Sequence, residues 1–236
     1  MENEERKPIV LPIGYNHLVQ AAIYNSVSQK LSRLLHDKGF LYGKRSFKLF
    51  TFSRLIGEYE IKQKKICFNN AGLYVSSPIE RFVKELANTF LKKGFMLIGE
   101  NKVKITSLYF PPEPKIENRA KIRSLSPITV YSTLISPDGG KKTYYYSPFE
   151  NEFSKIIDAN AKKKLYILRK RTIKSSLEIK ALNAREKIIM YKDTVVKGWM
   201  GVFEISGPKI LIKTVYDTGL GSKNSQGFGI FEVVEA

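Results

Sequence analysis

Cysteine and histidine are nearly absent from this chain of 236 residues, which holds one Cys and two His. A single cysteine excludes an internal disulfide. Cys67, in KKICFNN with no histidine near it in sequence, reads as a buried core residue rather than a nucleophile or metal ligand. With only His17 and His36, and no CxxC or HExxH, the residues for a structural zinc site are missing. No carboxylate cluster resembles a magnesium cage either, so any chemistry is expected to need no metal and no cofactor. No run approaches the length of an apolar membrane span, and the opening MENEERKP lacks the apolar stretch of a signal peptide. A soluble, cytoplasmic protein with no membrane partner is expected. Acidic residues are also scarce: 22 Asp and Glu face 40 Lys and Arg, a formal net charge of +18. Such an excess points to a polyanionic partner, nucleic acid ahead of an anionic membrane surface.

What is present supports a packed core: 43% hydrophobic residues, 12% of the chain aromatic. The length allows one large domain or two of roughly 115 residues. IVLPIG is a short apolar entry, and the segment from Asn16 to about His36 reads as helix with Asn16 as its cap. FKLFTFSRL, EYEIKQKKICFN and LYVSS alternate like strands. PIERFVKELANTFLKKG carries Pro78 at its start, Phe82, Leu86 and Phe90 on one face and Gly94 after its end, which predicts a helix. FMLIG and KVKITSLYF follow as strands. PPEPKIENRAK, 111 to 121, is proline-rich and polar and reads as a linker. Beyond it the order recurs: strand IRSLSPITVYST, a turn at SPDGGKK, a helix around FENEFSKIIDANAKKKLYIL, strands SLEIKALN, KIIMYK and WMGVFEIS, a helix from Pro208 to Gly219, and a last strand GIFEVVE. Two helices against an antiparallel sheet, twice over, predict an α+β chain of two tandem ferredoxin-like βαββαβ domains, 1–118 and 119–236. Only residues 8 to 13 could supply the first strand of the first domain.

Between the Pro208 helix and the last strand stands GLGSKNSQGFG, residues 219 to 229. It lacks the order of a P-loop or a dinucleotide fingerprint, because it joins a helix to a strand and has Asn224 where a third glycine would stand. Its glycines can bring backbone N–H groups close to a ligand, and Lys223, Asn224, Ser225 and Gln226 offer hydrogen bonds and one positive charge, a combination that suits a phosphodiester. The alternative is a flexible turn. From Asn160 to Lys187 ten Lys or Arg stand against two acidic residues, a phosphate-tracking surface or else a solvated helix face. Trp199 and the tyrosines 144 to 146 could stack on unpaired bases or serve the core.

Taken together, these stretches resemble the CRISPR-associated endoribonucleases that cut repeat RNA into guides. GLGSKNSQGFG is similar to the C-terminal glycine loop of that family, IGYNHLVQAAIYNSV with LLHDKG to its N-terminal helical region, FKLFTFSRL to the strand after it, and SLSPITVY to the opening of the second domain. The resemblance spans essentially the whole chain. It implies catalysis by Tyr24, His36 and Lys48, and RNA contact by Gly219, Gly221, Lys223, Asn224, Ser225, Gln226, Gly227 and Gly229 and by basic residues of the second domain. DKGFLYGKRSF separates histidine and lysine more widely than in the family, which makes Lys38, Lys44 and Arg45 rivals of Lys48. A homodimer and association with a CRISPR effector complex both stay open.

The implied chemistry is self-consistent. RNA supplies its own nucleophile, the ribose 2′-OH beside each phosphate, so the protein must orient it, move protons and steady the phosphorane charge. A histidine can make either proton transfer, a lysine can stabilise the charge, and a tyrosine can orient the hydroxyl. Products would carry a 2′,3′-cyclic phosphate and a 5′-OH. On one straight helix Tyr24 and His36 would lie about 18 Å apart and a third of a turn out of phase, so a break is expected near Ser26 to Gln29, with Ser26 or Ser28 capping a second helix that Gly39 ends. Tyr24 among apolar neighbours could equally be core, His17 reads as a locally packed residue, and Lys48 between Phe47 and Leu49 could be a solvated strand position. A non-catalytic subunit that holds guide RNA, and a DNA- or membrane-surface binder, are the rival functions.

Overall fold

The computed structural model describes residues 1–3, 7–135, 137 and 139–235. Its first half runs β1 (Glu2–Asn3), β2 (Ile9–Pro12), α1 (Asn16–Asn25), α2 (Gln29–Arg33), a π-helical turn (Leu34–Lys38), β3 (Phe40–Tyr42), β4 (Arg45–Phe47), β5 (Thr51–Phe52), β6 (Tyr59–Lys62), β7 (Lys65–Phe68), β8 (Val75–Ser76), α3 (Glu80–Lys93), β9 (Phe95–Ile98) and β10 (Asn101–Lys104). The second half runs β11 (Arg119–Ser124), β12 (Tyr131–Ile135), β13 (Lys141–Tyr145), α4 (Asn151–Arg169), β14 (Glu178–Tyr191), β15 (Thr194–Ser206), α5 (Lys209–Thr218), a 3-10 turn (Asn224–Gln226) and β16 (Phe231–Glu235). Parts of the turn expected at 136–142 lie outside the described residues.

In the second half the antiparallel sheet has the order β14-β15-β11-β16. With α4 between β11 and β14, and α5 between β15 and β16, that is the βαββαβ ferredoxin-like arrangement. In the first half β2-β7-β6 form one sheet and β1-β10-β9 another. They meet where the Asn101 side chain takes the place of a ladder residue, accepting from the Val10 N–H at 2.9 Å and donating to the Val10 carbonyl at 2.9 Å. β2 is thus the opening strand, and its alternation buries Ile9 and Leu11. The chain is two ferredoxin-like units in tandem. Each has its own core, one built around Ile9, Phe50, Phe68, Phe82 and Ile98, the other around Ile122, Phe153, Leu165, Phe203 and Val215.

α3 ends on Gly94 in the left-handed region, at φ 71, as its sequence predicts. Several expectations need correction. The cap of α1 is Tyr15, not Asn16, whose buried side chain is spent elsewhere. FKLFTFSRL is not one strand: Leu49 sits at φ 55, and residues 48–50 leave the ladder between β4 and β5. LYVSS contributes only two strand residues, and IRSLSPITVYST splits into β11 and β12 around Pro127. SLEIKALN and KIIMYK are instead one strand of 14 residues, with a bulge between Ala181 and Asn183. Trp199 belongs to the second core, edge-on to Phe153, and Tyr144 and Tyr145 spend their hydroxyls on Glu150 and on the Val195 carbonyl. Cys67 is half-buried in β7.

Candidate active site and nucleic-acid interface

The helix from Asn16 breaks where the catalytic argument requires it. α1 stops at Ser26, whose Oγ turns back to the Ala22 carbonyl at 2.7 Å, and Ser28 caps α2 by accepting from the Leu31 N–H at 3.4 Å. The π-helical turn then carries His36, and Gly39, at φ 63, ends it. The bend brings the Tyr24 and His36 rings edge to face, 5.4 Å between centroids, with Phe50 against the other side of Tyr24 at 5.5 Å. The His36 side chain is 70% exposed, and its Nδ1 lies 2.8 Å from Asp37 Oδ1. That contact makes Nδ1 the donor and leaves Nε2 as the nitrogen that can exchange a proton with a ligand. Burial raises the Tyr24 phenol above its ordinary value, with the charges of Tyr191 and Asp37 adding to the effect, so this hydroxyl stays protonated.

Lys48 Nζ donates to the His36 carbonyl at 2.7 Å. Burial lowers its pKa, and the Asp37 charge partly restores it. The backbone turn at Leu49 swings Lys48 out of the strand and towards His36. Of its rivals, Arg45 faces the groove between the domains, Lys44 is exposed at the turn between β3 and β4, and Lys38 accepts from Ser46 Oγ at 2.5 Å through its carbonyl.

Beside Lys48 a groove of about 830 Å³ runs between the two domains. Arg45, Lys48, Lys155, Lys163, Lys164 and Lys223 line it, and none of its described lining residues is acidic. Burial lowers the pKa of Lys163, and the like charge of Arg45 lowers it further. Two cations held across a groove without a carboxylate are a place where an anion gains from both.

The glycine-rich segment forms one wall, and it is not a flexible turn. Gly221, Lys223, Asn224, Ser225 and Gln226 face the groove. Gly219, Gly227 and Gly229 are buried and serve packing. Gly227, at φ 84, would put a Cβ 2.5 Å from the Phe52 ring, and Gly229, at φ 83, would drive one into the Leu220 carbonyl. Asn224 is fully engaged: its Nδ2 donates to the Leu220 and Phe228 carbonyls at 2.9 and 3.0 Å, and its Oδ1 accepts from Lys164 Nζ at 2.7 Å. Lys223 lies over the Tyr131 ring, 5.2 Å from its centroid.

α1 holds this segment from the first domain. Asn16 Nδ2 donates to the Gln226 and Gly227 carbonyls at 2.9 and 3.2 Å, and Gln20 Nε2 to the Ser225 carbonyl at 2.6 Å. Arg54 donates to Asn16 Oδ1, and the Tyr191 hydroxyl, at the tip of the β14–β15 hairpin, to Gln20 Oε1. Sequence reasoning missed Gln20, Asp37 and Lys164. Asp37 had a signal, its adjacency to His36 in LLHD. Lys164 had none, since it sits in KKK like a solvated residue. Among the described residues no group of three His, Cys, Asp or Glu is placed to hold a metal ion, and no helix is long and apolar enough to cross a membrane.

Two family profiles divide the chain: CRISPR-associated protein Cas6, N-terminal, matches residues 10–108, and CRISPR associated protein Cas6, C-terminal, matches residues 110–233. The CRISPR-associated endoribonuclease Cas6 1 of Methanocaldococcus jannaschii is 31% identical, over 96% of this chain and 88% of its own length. The CRISPR-associated endoribonuclease Cas6 of Pyrococcus furiosus is 28% identical, over 97% and 86%. A solved structure described as CRISPR associated protein Cas6 superposes with a TM-score of 0.80 at 27% identity, covering 99% of this chain and 96% of that one. The chain belongs to the Cas6 family of CRISPR-associated proteins.

Proposed function

We propose that this chain is an endoribonuclease that cleaves CRISPR repeat transcripts into guide RNAs in the cytoplasm, without a metal ion. In this reading residues 1–118 form the domain that carries the catalytic residues and 119–236 the domain that carries the glycine-rich loop. The observation that carries it is an exposed imidazole, oriented by Asp37, whose backbone is held by a lysine lining an all-basic groove. RNA lies along the groove with phosphates on Arg45, Lys163 and Lys223 and on the face formed by Ser225 and Gln226. The 2′-oxygen attacks the adjacent phosphorus as the bond to the 5′-oxygen breaks. His36 Nε2 takes the 2′ proton and passes it to the departing 5′-oxygen. The protonated Tyr24 phenol orients the imidazole edge-on, and the Lys48 ammonium stabilises the phosphorane charge. Family membership and the names borne by its relatives support the substrate class.

The test is to incubate repeat RNA with the protein in EDTA, compare His36→Ala, and map the ends. Cleavage to a 2′,3′-cyclic phosphate and a 5′-OH by the parent, and none by the variant, is expected. Unchanged cutting by His36→Ala removes the imidazole from the mechanism. Binding without cutting by the parent leaves a protein that only holds guide RNA. A single 2′-deoxy substitution at the scissile nucleotide should abolish cleavage and spare binding.

A further inference from the structure

Among the described residues, two side-chain oxygens in the groove have no partner. Asn160 Oδ1 on α4 and Gln226 Oε1 on the glycine-rich segment are both shielded from solvent, and neither accepts a hydrogen bond among the described residues. Asn160 as a whole is only 8% exposed. Buried acceptors left unmet are rare and costly, so each asks what donor is missing. Two donors of the same lining are spent: Lys164 Nζ on Gly219, Gly221 and Asn224, and Asn224 Nδ2 on Leu220 and Phe228. A donor carried by what fills the groove would meet them.

Phosphate oxygens only accept, so they seek the lysines and cannot satisfy an amide oxygen. A base or a ribose hydroxyl can. The lining also includes Phe47, Ile156 and Ala159, apolar groups suited to the face of a base rather than to a sugar edge. Two acceptors call for two hydrogens, and an exocyclic amino group carries two on one nitrogen. Uracil has a single base N–H and falls short. Adenine adds a ring nitrogen that can accept from the same side-chain amide.

Resting on the endoribonuclease reading, we propose that Asn160 and Gln226 form a base-reading subsite that selects a nucleotide bearing an exocyclic amino group, adenine being the fullest match. The subsite gives the basic groove a preference among RNA sequences that its lysines alone do not supply.

The test is equilibrium binding by fluorescence anisotropy, using full-length His36→Ala protein so that no probe is cut. The probes are homopolymers of about 12 nucleotides, within the usual length of a single-strand site: oligoadenosine, oligouridine and oligo(purine riboside), the last lacking only the amino group of adenine. Oligoadenosine should bind about tenfold more tightly than oligo(purine riboside), within the range expected for a base-edge contact, and oligouridine no better than oligo(purine riboside). Asn160→Leu should close most of that gap. Equal binding of oligoadenosine and oligo(purine riboside) by the His36→Ala protein overturns the proposal, since ordered water and not a base then meets the two oxygens. That comparison needs no change at Asn160, so a poorly folding Asn160→Leu does not spoil it. A uniform loss of affinity for all probes in a folded Asn160→Leu also overturns it, by assigning Asn160 a purely structural role. Failure to bind any RNA refutes the endoribonuclease reading itself, whereas binding without base preference refutes only the subsite.

Discussion

Lys164 offers the sharpest test of how the glycine-rich segment is held. Its side chain is 2% exposed, and its ammonium donates to Gly219 O at 2.7 Å, Gly221 O at 3.4 Å and Asn224 Oδ1 at 2.7 Å. Burial pushes its pKa from 10.5 down to about 7, against the pull of three acceptors that match the three hydrogens of an ammonium. Between those values the unfolded chain keeps the proton and the folded chain has lost it. The unfolded state therefore binds more protons, and stability from this group rises with pH across that window, approaching about 1.4 kcal/mol per pH unit. Below pH 7 both states are charged and the slope vanishes. Lys164→Met has no proton to lose. The unfolding free energy of the parent minus that of Lys164→Met should therefore grow by about 2 kcal/mol between pH 7 and pH 9. Urea unfolding followed by the fluorescence of Trp199, the single tryptophan of the chain and a residue of the second core, reads the difference directly. A difference that stays flat or shrinks would refute the reasoning, because the three acceptors would then be holding the proton inside the fold.

Salt should weaken RNA binding steeply. Five cations besides the buried Lys164 line the groove, and at about 0.7 counterion released per single-strand phosphate contact the slope of log affinity against log salt should approach about −3.5; a slope near zero would show that the strand does not follow the groove. Gly229→Ala should destabilise the fold by roughly 2 kcal/mol or more, since φ there is 83 and a Cβ would meet the Leu220 carbonyl. Gly43→Ala, where a Cβ meets nothing within 4 Å, is the control in thermal melts, and equal effects would remove the packing explanation. Gln20→Leu loses the bonds to Ser225 and Tyr191 and should slow single-turnover cleavage about tenfold, the scale of a lost buried hydrogen bond. An unchanged rate would separate α1 from the loop's function.

Elements closed by strong punctuation were legible in the sequence. Pro78 and Gly94 bracket α3, Pro208 and Gly219 bracket α5, and Ser28 marks the restart after α1. Elements decided by distant contacts were not. Gln63 and Lys64 both adopt left-handed angles in the turn between β6 and β7, at φ 48 and 62, where a glycine would have announced it. β14 is continuous because β15 pairs with it along its length, and its tip leans on α1, where Tyr191 meets His17 edge to face, contacts no local pattern reports. Asn16 looked like a cap because caps favour asparagine, yet its donors reach residues 210 and 211 positions away. At the site, the imidazole, its break and its tyrosine partner share one short segment, so local reasoning could reach them. The buried Lys164 and the Asn160 Oδ1 left unmet among the described residues depend on what α4 packs against.

Asn16, Gln20 and Tyr24 stand four residues apart, so they share one face of α1. The first two grip the carbonyls of Gln226, Gly227 and Ser225, and the third meets the His36 ring. One helix face therefore sets the distance between the wall of the groove and the imidazole. From the opposite side Lys164 holds the same segment, and Thr51 Oγ1 donates to the Phe228 carbonyl at 3.0 Å. A strand whose phosphates are fixed against that wall would present its scissile bond to His36 at a separation set by packed side chains, not by loop motion. Catalysis of this kind gains chiefly from fixing an attacking hydroxyl in line, which requires a rigid separation. The glycines belong to that rigidity, because their missing Cβ atoms let the segment sit against Phe52 and Leu220 closely enough for α1 to reach it.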